Sequence, residues 1–186
     1  EIEGAAVELL SAQMRVITRN ALKVTQSITL GTGWNMISSY LSPDPAAMVE
    51  IFPGAGGDFV LCKDDAGQVF WPDMTIDQIG DWAAADGYQC YADNPFLISL
   101  NGSEIPVETP LPLPQGWSLS AYWRDIPLTA EAALASCSSE LALAKNGIGE
   151  VFWPTFSVNQ IGSMQPGQGY QLFLDAPCIL TYPAAD

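Results

Sequence analysis

The chain contains one fourteen-residue pattern twice: GQVFWPDMTIDQIG at residues 67–80 and GEVFWPTFSVNQIG at residues 149–162. Both copies keep Val-Phe-Trp-Pro and the closing Gln-Ile-Gly. The similarity extends outward at a nearly constant spacing, because GWNM at 33–36 corresponds to GWSL at 116–119 and GYQ occurs at 87–89 and 169–171. Matching Trp and Gly positions at a regular spacing predict an internal duplication.

Each copy predicts the same order of short elements. These are a strand starting at GW, a short helix (44–52 and 129–137), an apolar strand (59–62 and 141–144), a turn of Asn, Asp and Gly (63–67 and 145–149), and a VFW strand that Pro ends. The Ser/Thr-x-x-Gln that follows has the spacing of a capping box, so one helical turn is predicted there, ended by Gly80 or Gly162. A closing hairpin is predicted from GYQ onward.

The predicted fold is mainly β with short helices. It consists of two pseudo-symmetric β modules from an internal duplication, at residues 28–108 and 109–186, preceded by an N-terminal half-hairpin or strand segment at residues 1–27. Sixteen Gly and fourteen Pro agree with many turns. Residues 14–24 match the closing hairpin, whereas Leu10, Met14, Ile17 and Ala21 have helical spacing, so both interpretations stay open.

The charge is strongly acidic, with 21 Asp and Glu against 6 Lys and Arg and a net charge of −15. A polyanionic surface repels nucleic acids and anionic membranes, so neither is expected as a partner. No apolar run reaches the about 18 residues of a membrane span, so membrane insertion is not expected. Three of the six basic residues, Arg15, Arg19 and Lys23, lie in the first 27 residues.

The sequence offers little material for catalysis. It has no His, and no nucleophile or phosphate-binding motif. The carboxylates Asp73 and Asp77 are not kept in the second copy. We therefore expect no enzyme activity, no cofactor and no metal; for Asp64 and Asp65, a solvated hairpin turn is favoured over a calcium site.

The sequence pattern predicts that the four cysteines occupy apolar positions in the core. Small buried thiols and disulfides are both compatible with this. If they are bonded, the expected pairs are Cys62–Cys90 and Cys137–Cys178, which would suggest an oxidising compartment.

Four tryptophans are predicted as structural anchors: Trp34, Trp71, Trp117 and Trp153. Alternation along a strand places Phe70 and Trp71 on opposite faces, so one of them faces outward or into an interface between the copies. We favour the interface. An exposed row of tryptophans would instead indicate a platform for sugar rings.

The motifs GWNMISSY, KDDAGQVFWP, IDQIGDW and GYQCY, followed by GWSLSAYW, GQGYQLF and ILTYP, resemble a tandem module of secreted and surface proteins from Bacteroidota-type bacteria. The resemblance covers residues 28–184. It implies an extracellular or cell-surface location, with a signal peptide already removed, and a β architecture. It implies no activity.

From these observations we expect a secreted structural protein, a filament subunit that self-associates head-to-tail through its N-terminal segment. The alternative for that segment is that it folds back on its own module. The alternative function is a carbohydrate-binding or adhesive module, with a surface glycan as partner. The residues predicted for self-association are Met14, Arg15, Val16, Ile17, Arg19, Leu22, Lys23 and Val24.

Overall fold

The computed structural model describes residues 23–54 and 57–184. These residues form a mainly β protein with two short α-helices and several antiparallel sheets, so the predicted fold class is confirmed. The two halves have nearly the same order of elements.

The first half contains eight strands, one helix and one 3-10 turn. They are β1 (Val24–Leu30), β2 (Gly33–Ile37), β3 (Leu41–Pro43), α1 (Met48–Ile51), β4 (Phe59–Lys63), β5 (Val69–Trp71), the 3-10 turn Pro72–Met74, β6 (Ile76–Asp77), β7 (Tyr88–Ala92) and β8 (Phe96–Glu104).

The second half repeats this order with small differences. It contains β9 (Leu111–Leu113), β10 (Gly116–Ser120), β11 (Leu128–Thr129), α2 (Ala130–Ala133), the 3-10 turn Ala135–Cys137, β12 (Leu141–Lys145), β13 (Val151–Trp153), the 3-10 turn Pro154–Phe156, β14 (Val158–Asn159), β15 (Ser163–Met164), β16 (Tyr170–Leu174) and β17 (Cys178–Leu180).

Each half builds one five-stranded antiparallel sheet, in the order β2-β7-β4-β5-β6 and β10-β16-β12-β13-β14. The smaller sheets are β1-β8-β3, β9-β17 and β11-β15. The predicted closing hairpin is wrong, because β7 and β8 follow each other along the chain but belong to different sheets. Strand β7 already has β2 and β4 on its two edges, so β8 pairs with β1 instead.

Each half has its own apolar core. In the first half, Phe52 stacks on Phe59 with 4.4 Å between ring centroids, and Phe70 lies 5.8 Å from Phe52. Phe70 and its counterpart Phe152 are both buried, so the VFW strands turn their Phe inward. The aromatic burial stabilises each half separately.

The predicted capping box is wrong. The helical turn Pro72–Met74 precedes Thr75, which ends the turn in a left-handed conformation (φ 56°). Ser157 does the same in the second half (φ 54°). Proline is suited to the first position of a helical turn, so the turn starts at Pro rather than after it. The Gln78 side chain instead accepts a hydrogen bond from the Val69 N–H at 3.2 Å.

The glycines of the IG pairs have positive φ, as predicted, but they serve a different structure. Asp77 Oδ1 accepts from the Gly80 N–H, three residues further on, at 2.7 Å, and this hydrogen bond closes the IG loop. The Gly80 carbonyl then accepts from Met48 N–H at the start of α1 (2.8 Å), and the Gly162 carbonyl accepts from Ala130 N–H at the start of α2 (3.0 Å). Each IG loop therefore caps the helix of its own half.

In each half, the Tyr of the GYQ motif binds a loop to the five-stranded sheet through a hydrogen bond. Tyr88 Oη accepts from Ala83 N–H, and Tyr170 Oη accepts from Gln165 N–H, both at 2.7 Å. Both rings are buried. Burial raises the pKa of Tyr88 and raises the pKa of Tyr170 to about 12.

The cysteines are joined as Cys62–Cys90 and Cys137–Cys178, the pairs named from the sequence. Cys62 on β4 lies directly opposite Cys90 on β7 in the strand register. The second bond ties the 3-10 turn Ala135–Cys137 to β17.

The N-terminal segment is described only from Lys23 onward, so Met14, Arg15, Val16, Ile17, Arg19 and Leu22 lie outside the described residues. Val24 belongs to β1 and pairs with Gly102 of β8 in the same chain. Lys23 forms an ion pair with Asp44 at 2.6 Å. These two residues therefore bind their own module, which is the cis alternative.

The two halves meet along a main-chain seam with approximate two-fold symmetry. The segment 36–38 pairs with 167–169, and the corresponding segment 119–121 pairs with 85–87. At Gly169 a Cβ would lie 2.8 Å from the Ile37 carbonyl oxygen, and at Gly87 one would lie 2.9 Å from Leu119 Cγ. The Gly of GYQ is thus explained by the close approach of the halves.

Candidate functional site

The tryptophans predicted as anchors lie mostly at the surface. Trp34 and Trp117 are each 53% exposed and Trp153 is 41% exposed, whereas Trp71 is partly buried. The prediction of core anchors is therefore wrong for the first three. Because Phe70 points inward, alternation turns Trp71 to the outer face of its sheet, and it is not part of the seam.

The buried tryptophans are two that the sequence analysis did not single out, Trp82 and Trp123. Trp82 packs against Tyr88 with ring centroids 4.2 Å apart. Trp123 Nε1 donates to the Ala84 carbonyl oxygen across the seam at 2.7 Å. These two tryptophans belong to the motifs IGDW and SAYW. A Trp in such a short motif does not by itself indicate whether its side chain faces the core or the solvent.

A cleft lies beside the seam, between β2 and the turn that joins β12 to β13. It consists of two adjoining cavities of about 280 and 540 Å³. We name it the Trp34 cleft and define it by Trp34, Lys63, Gln89, Lys145, Asn146 and Gln171.

The Trp34 ring forms one wall of this cleft. Lys63 Nζ lies 4.7 Å from the ring centroid, in a cation–π contact, and Tyr91 packs edge-on at 5.3 Å between centroids. The next residue, Asn35, accepts from Gly31 N–H at 2.8 Å and donates to the Gly31 carbonyl at 2.7 Å. These contacts hold the loop before Trp34 in place while the indole stays accessible.

The opposite wall is a turn shaped by Asn146. Its Oδ1 accepts from Ile148 N–H (3.2 Å) and Glu150 N–H (2.9 Å), and its Nδ2 donates to the Glu150 carboxylate (2.7 Å). Gly147 lies against β2, where a Cβ would be 3.1 Å from Met36 N. The turn can approach β2 this closely only because position 147 has no side chain.

The floor of the cleft is built from matching positions of the two halves. Gln89 is opposite Lys63 in the register of β7 and β4, and Gln171 is opposite Lys145 in the register of β16 and β12. The strand pairing places an amide beside an ammonium in each half. The approximate two-fold symmetry of the seam brings the two pairs to one cleft.

The side of the seam that corresponds to the Asn146 turn is acidic instead. Asp64 and Asp65 take the places of Asn146 and Gly147 in the first-half turn, and Asp86 is part of the seam, where it pairs with Ser120. Burial raises the pKa of the Asp86 carboxyl, and the charges of Asp64 and Asp65 raise it further. The two halves thus present opposite charges on the two sides of one interface.

A separate cavity of about 190 Å³, outside the Trp34 cleft, is lined by Tyr40, Glu104 and Arg124, among others. Arg124 is 4% exposed, and its Nε has no hydrogen-bond partner among the residues that the structure describes. Burial raises the pKa of Tyr40, and the nearby carboxylates Asp125 and Glu104 raise it further.

The Trp34 cleft has the composition of a binding site. Among the residues the structure describes, no group of three or more His, Cys, Asp or Glu side chains could hold a metal ion. What the cleft offers is one half-exposed indole ring, three primary amides and two ammonium groups. These groups stack on a ring and donate hydrogen bonds, which is chemistry for recognition.

Comparison with protein families, with curated proteins and with solved structures gave no significant match. Within residues 23–54 and 57–184, no helix is long and apolar enough to cross a membrane.

Proposed function

We propose that the protein is a carbohydrate-binding surface module and that the Trp34 cleft holds the sugar. The observation that carries this proposal is the position of Trp34, a large aromatic ring that is 53% exposed and surrounded by amide and ammonium donors. An exposed aromatic beside convergent polar groups is typical of a binding surface.

The chemistry of a sugar fits both parts of this surface. A pyranose ring has an apolar C–H face that an indole ring can cover, and hydroxyl groups around its edge that amides can bind. Gln89 and Gln171 can each donate and accept hydrogen bonds at the floor of the cleft. Neither amide makes a side-chain hydrogen bond that would occupy it within the described residues.

An extracellular or cell-surface location is part of the proposal. The two disulfides, Cys62–Cys90 and Cys137–Cys178, are consistent with it, because disulfides persist in oxidising compartments.

The experiment compares Trp34→Ala with Trp117→Ala for binding to a panel of neutral and acidic oligosaccharides, measured by calorimetry. Trp117 is a matched control, because it takes the corresponding position in the second half and has the same exposure of 53%. We expect Trp34→Ala to weaken binding at least about tenfold, since aromatic anchors dominate such sites. Trp117→Ala should leave it unchanged. Equal losses in both variants, or no binding of any probe, would refute the proposal.

Self-association is a second candidate, favoured by the position of β1. In the described sheet β1-β8-β3, strand β1 lies at an edge, and an edge strand can pair with another chain. Its residues Thr25, Ser27 and Thr29 are exposed and polar. Because β1 pairs in cis from Val24, the informative truncation removes residues 1–22 and keeps the strand.

Light scattering of the full chain and of this truncation tests self-association. Polymers of the full chain that disappear on truncation would support the filament proposal. Monomers in both samples would refute it, and the glycan proposal would be unaffected.

A further inference from the structure

We infer that the ligand of the Trp34 cleft is an anionic saccharide, one that carries a carboxylate or a sulfate on its sugar ring. This inference rests on the proposed function and adds the class of sugar to it.

Positive charge is unevenly distributed along the chain. Residues 28–186 contain 3 Lys and Arg against 18 Asp and Glu. Two of these three basic residues, Lys63 and Lys145, line the Trp34 cleft. Two of the three basic residues in this part of the chain therefore lie at one location.

These two ammonium groups have no carboxylate partner among the described residues. The ion pair found there is Lys23–Asp44, outside the cleft. In a chain of net charge −15 carboxylates are abundant, and yet, among the described residues, neither lysine of the cleft is paired with one. Lys63 and Lys145 are both partly buried, where a charge interacts more strongly with an incoming anion than it would in bulk water.

The geometry also points to an anion. Lys63 Nζ lies over the Trp34 ring, 4.7 Å from its centroid, so the positive charge is held at the aromatic surface itself. A uronic acid carries its carboxylate directly on the ring that would stack, and a sulfated sugar carries its ester at the ring edge. Lys145 provides a second charge from the other half. Charge-assisted hydrogen bonds of this kind are stronger than those between neutral groups.

The test uses pairs of probes that differ only in charge. Calorimetry compares a short oligogalacturonate with its methyl ester, and a sulfated galactan oligomer with the unsulfated one, at low ionic strength. We expect at least one acidic probe to bind about tenfold or more tightly than its neutral counterpart. Binding of the uronate alone assigns the carboxylate, and binding of the sulfated galactan alone assigns the sulfate.

Lysine variants then test whether the preference for the acidic probe depends on the two lysines of the cleft. Lys63→Met and Lys145→Met keep most of the aliphatic side chain and remove the charge, so their thermal unfolding should match the native protein. Each should weaken binding of the acidic probe about tenfold and weaken the neutral probe much less, so that the preference for the acidic probe falls. Lys23→Met is the control for overall charge, because Lys23 lies outside the cleft, and it should change neither affinity.

The outcomes separate the inference from the proposed function. If acidic and neutral probes bind equally and Trp34→Ala abolishes both, the anionic preference is refuted and the glycan function stands. If no probe binds, the glycan function itself fails. A loss in Lys23→Met as large as in Lys63→Met would show a general charge effect and would also overturn the inference.

Discussion

One buried hydroxyl adds side-chain hydrogen bonds across the seam between the halves, and its removal gives a quantitative prediction. Ser38 is fully buried. Its Oγ donates to the Gln168 carbonyl at 2.6 Å and accepts from the Tyr122 N–H at 3.0 Å, so it links the first half to two segments of the second. The second half has Ala121 at the corresponding position, so the link exists in one direction only.

The Ser38→Ala variant removes both bonds without adding bulk. It leaves the buried Tyr122 N–H without its acceptor, at about 1–3 kcal/mol, and it loses the hydrogen bond to Gln168, at about 1 kcal/mol. We therefore expect the free energy of unfolding to fall by about 2–4 kcal/mol, a large part of the about 5–15 kcal/mol typical of a domain.

Urea unfolding followed by tryptophan fluorescence measures this change. The control is Ser99→Ala, at an exposed position on β8, which should stay within about 0.5 kcal/mol of the native protein. If the halves unfold separately, Ser38→Ala should also separate the two transitions further. A change in Ser38→Ala no larger than that of the control would refute the assignment of Ser38 as the link between the halves.

Three further predictions concern the seam, the disulfide and the acidic side. Gly169→Ala should destabilise the protein measurably in the same assay, because its Cβ would meet the Ile37 carbonyl oxygen at 2.8 Å, and a native-like unfolding midpoint would contradict this. Replacing Cys62 and Cys90 together by Ala should lower the free energy of unfolding by about 3–4 kcal/mol, because their bond closes a loop between residues 28 apart in sequence; unchanged stability would mean that the bond does not form. Folding raises the pKa of Asp86, so its protonated form favours the folded state and this contribution is lost as the pH rises through the raised pKa. Asp86→Asn should therefore stabilise the protein at neutral pH and give no gain well below the ordinary value of 3.8, and an equal effect at both pH values would exclude the titration of Asp86 as the cause.

The short-range structure could be predicted from residue types. Alternating apolar residues and Gly-rich turns indicated the strands β4 and β5 and the turn between them, since these depend on neighbouring residues. The capping-box prediction failed for the same local reason. A hydroxyl at Thr75 can begin or end a helical turn, and the preceding Pro72 decided that it ends one.

The pairing of β8 with β1 could not be predicted from neighbouring residues in the sequence. The GYQ motif and the apolar strand after it look like a hairpin along the chain. Whether they pair depends on which strands already occupy the edges of β7, and those strands, β2 and β4, are distant in sequence. The same limit applied to the tryptophans, because a repeated Trp marks an equivalent position without saying whether that position faces the core.

The sequence by itself determined that the chain has two similar β halves, because the duplicated Gly, Pro and aromatic positions act through local backbone preferences. Only the tertiary structure decided that the halves dock through Gly87 and Gly169. That docking brings Lys63 and Lys145, which lie far apart along the chain, to one cleft beside Trp34. A cleft made of two halves has no pattern along the chain, since its residues become neighbours only when the two sheets meet.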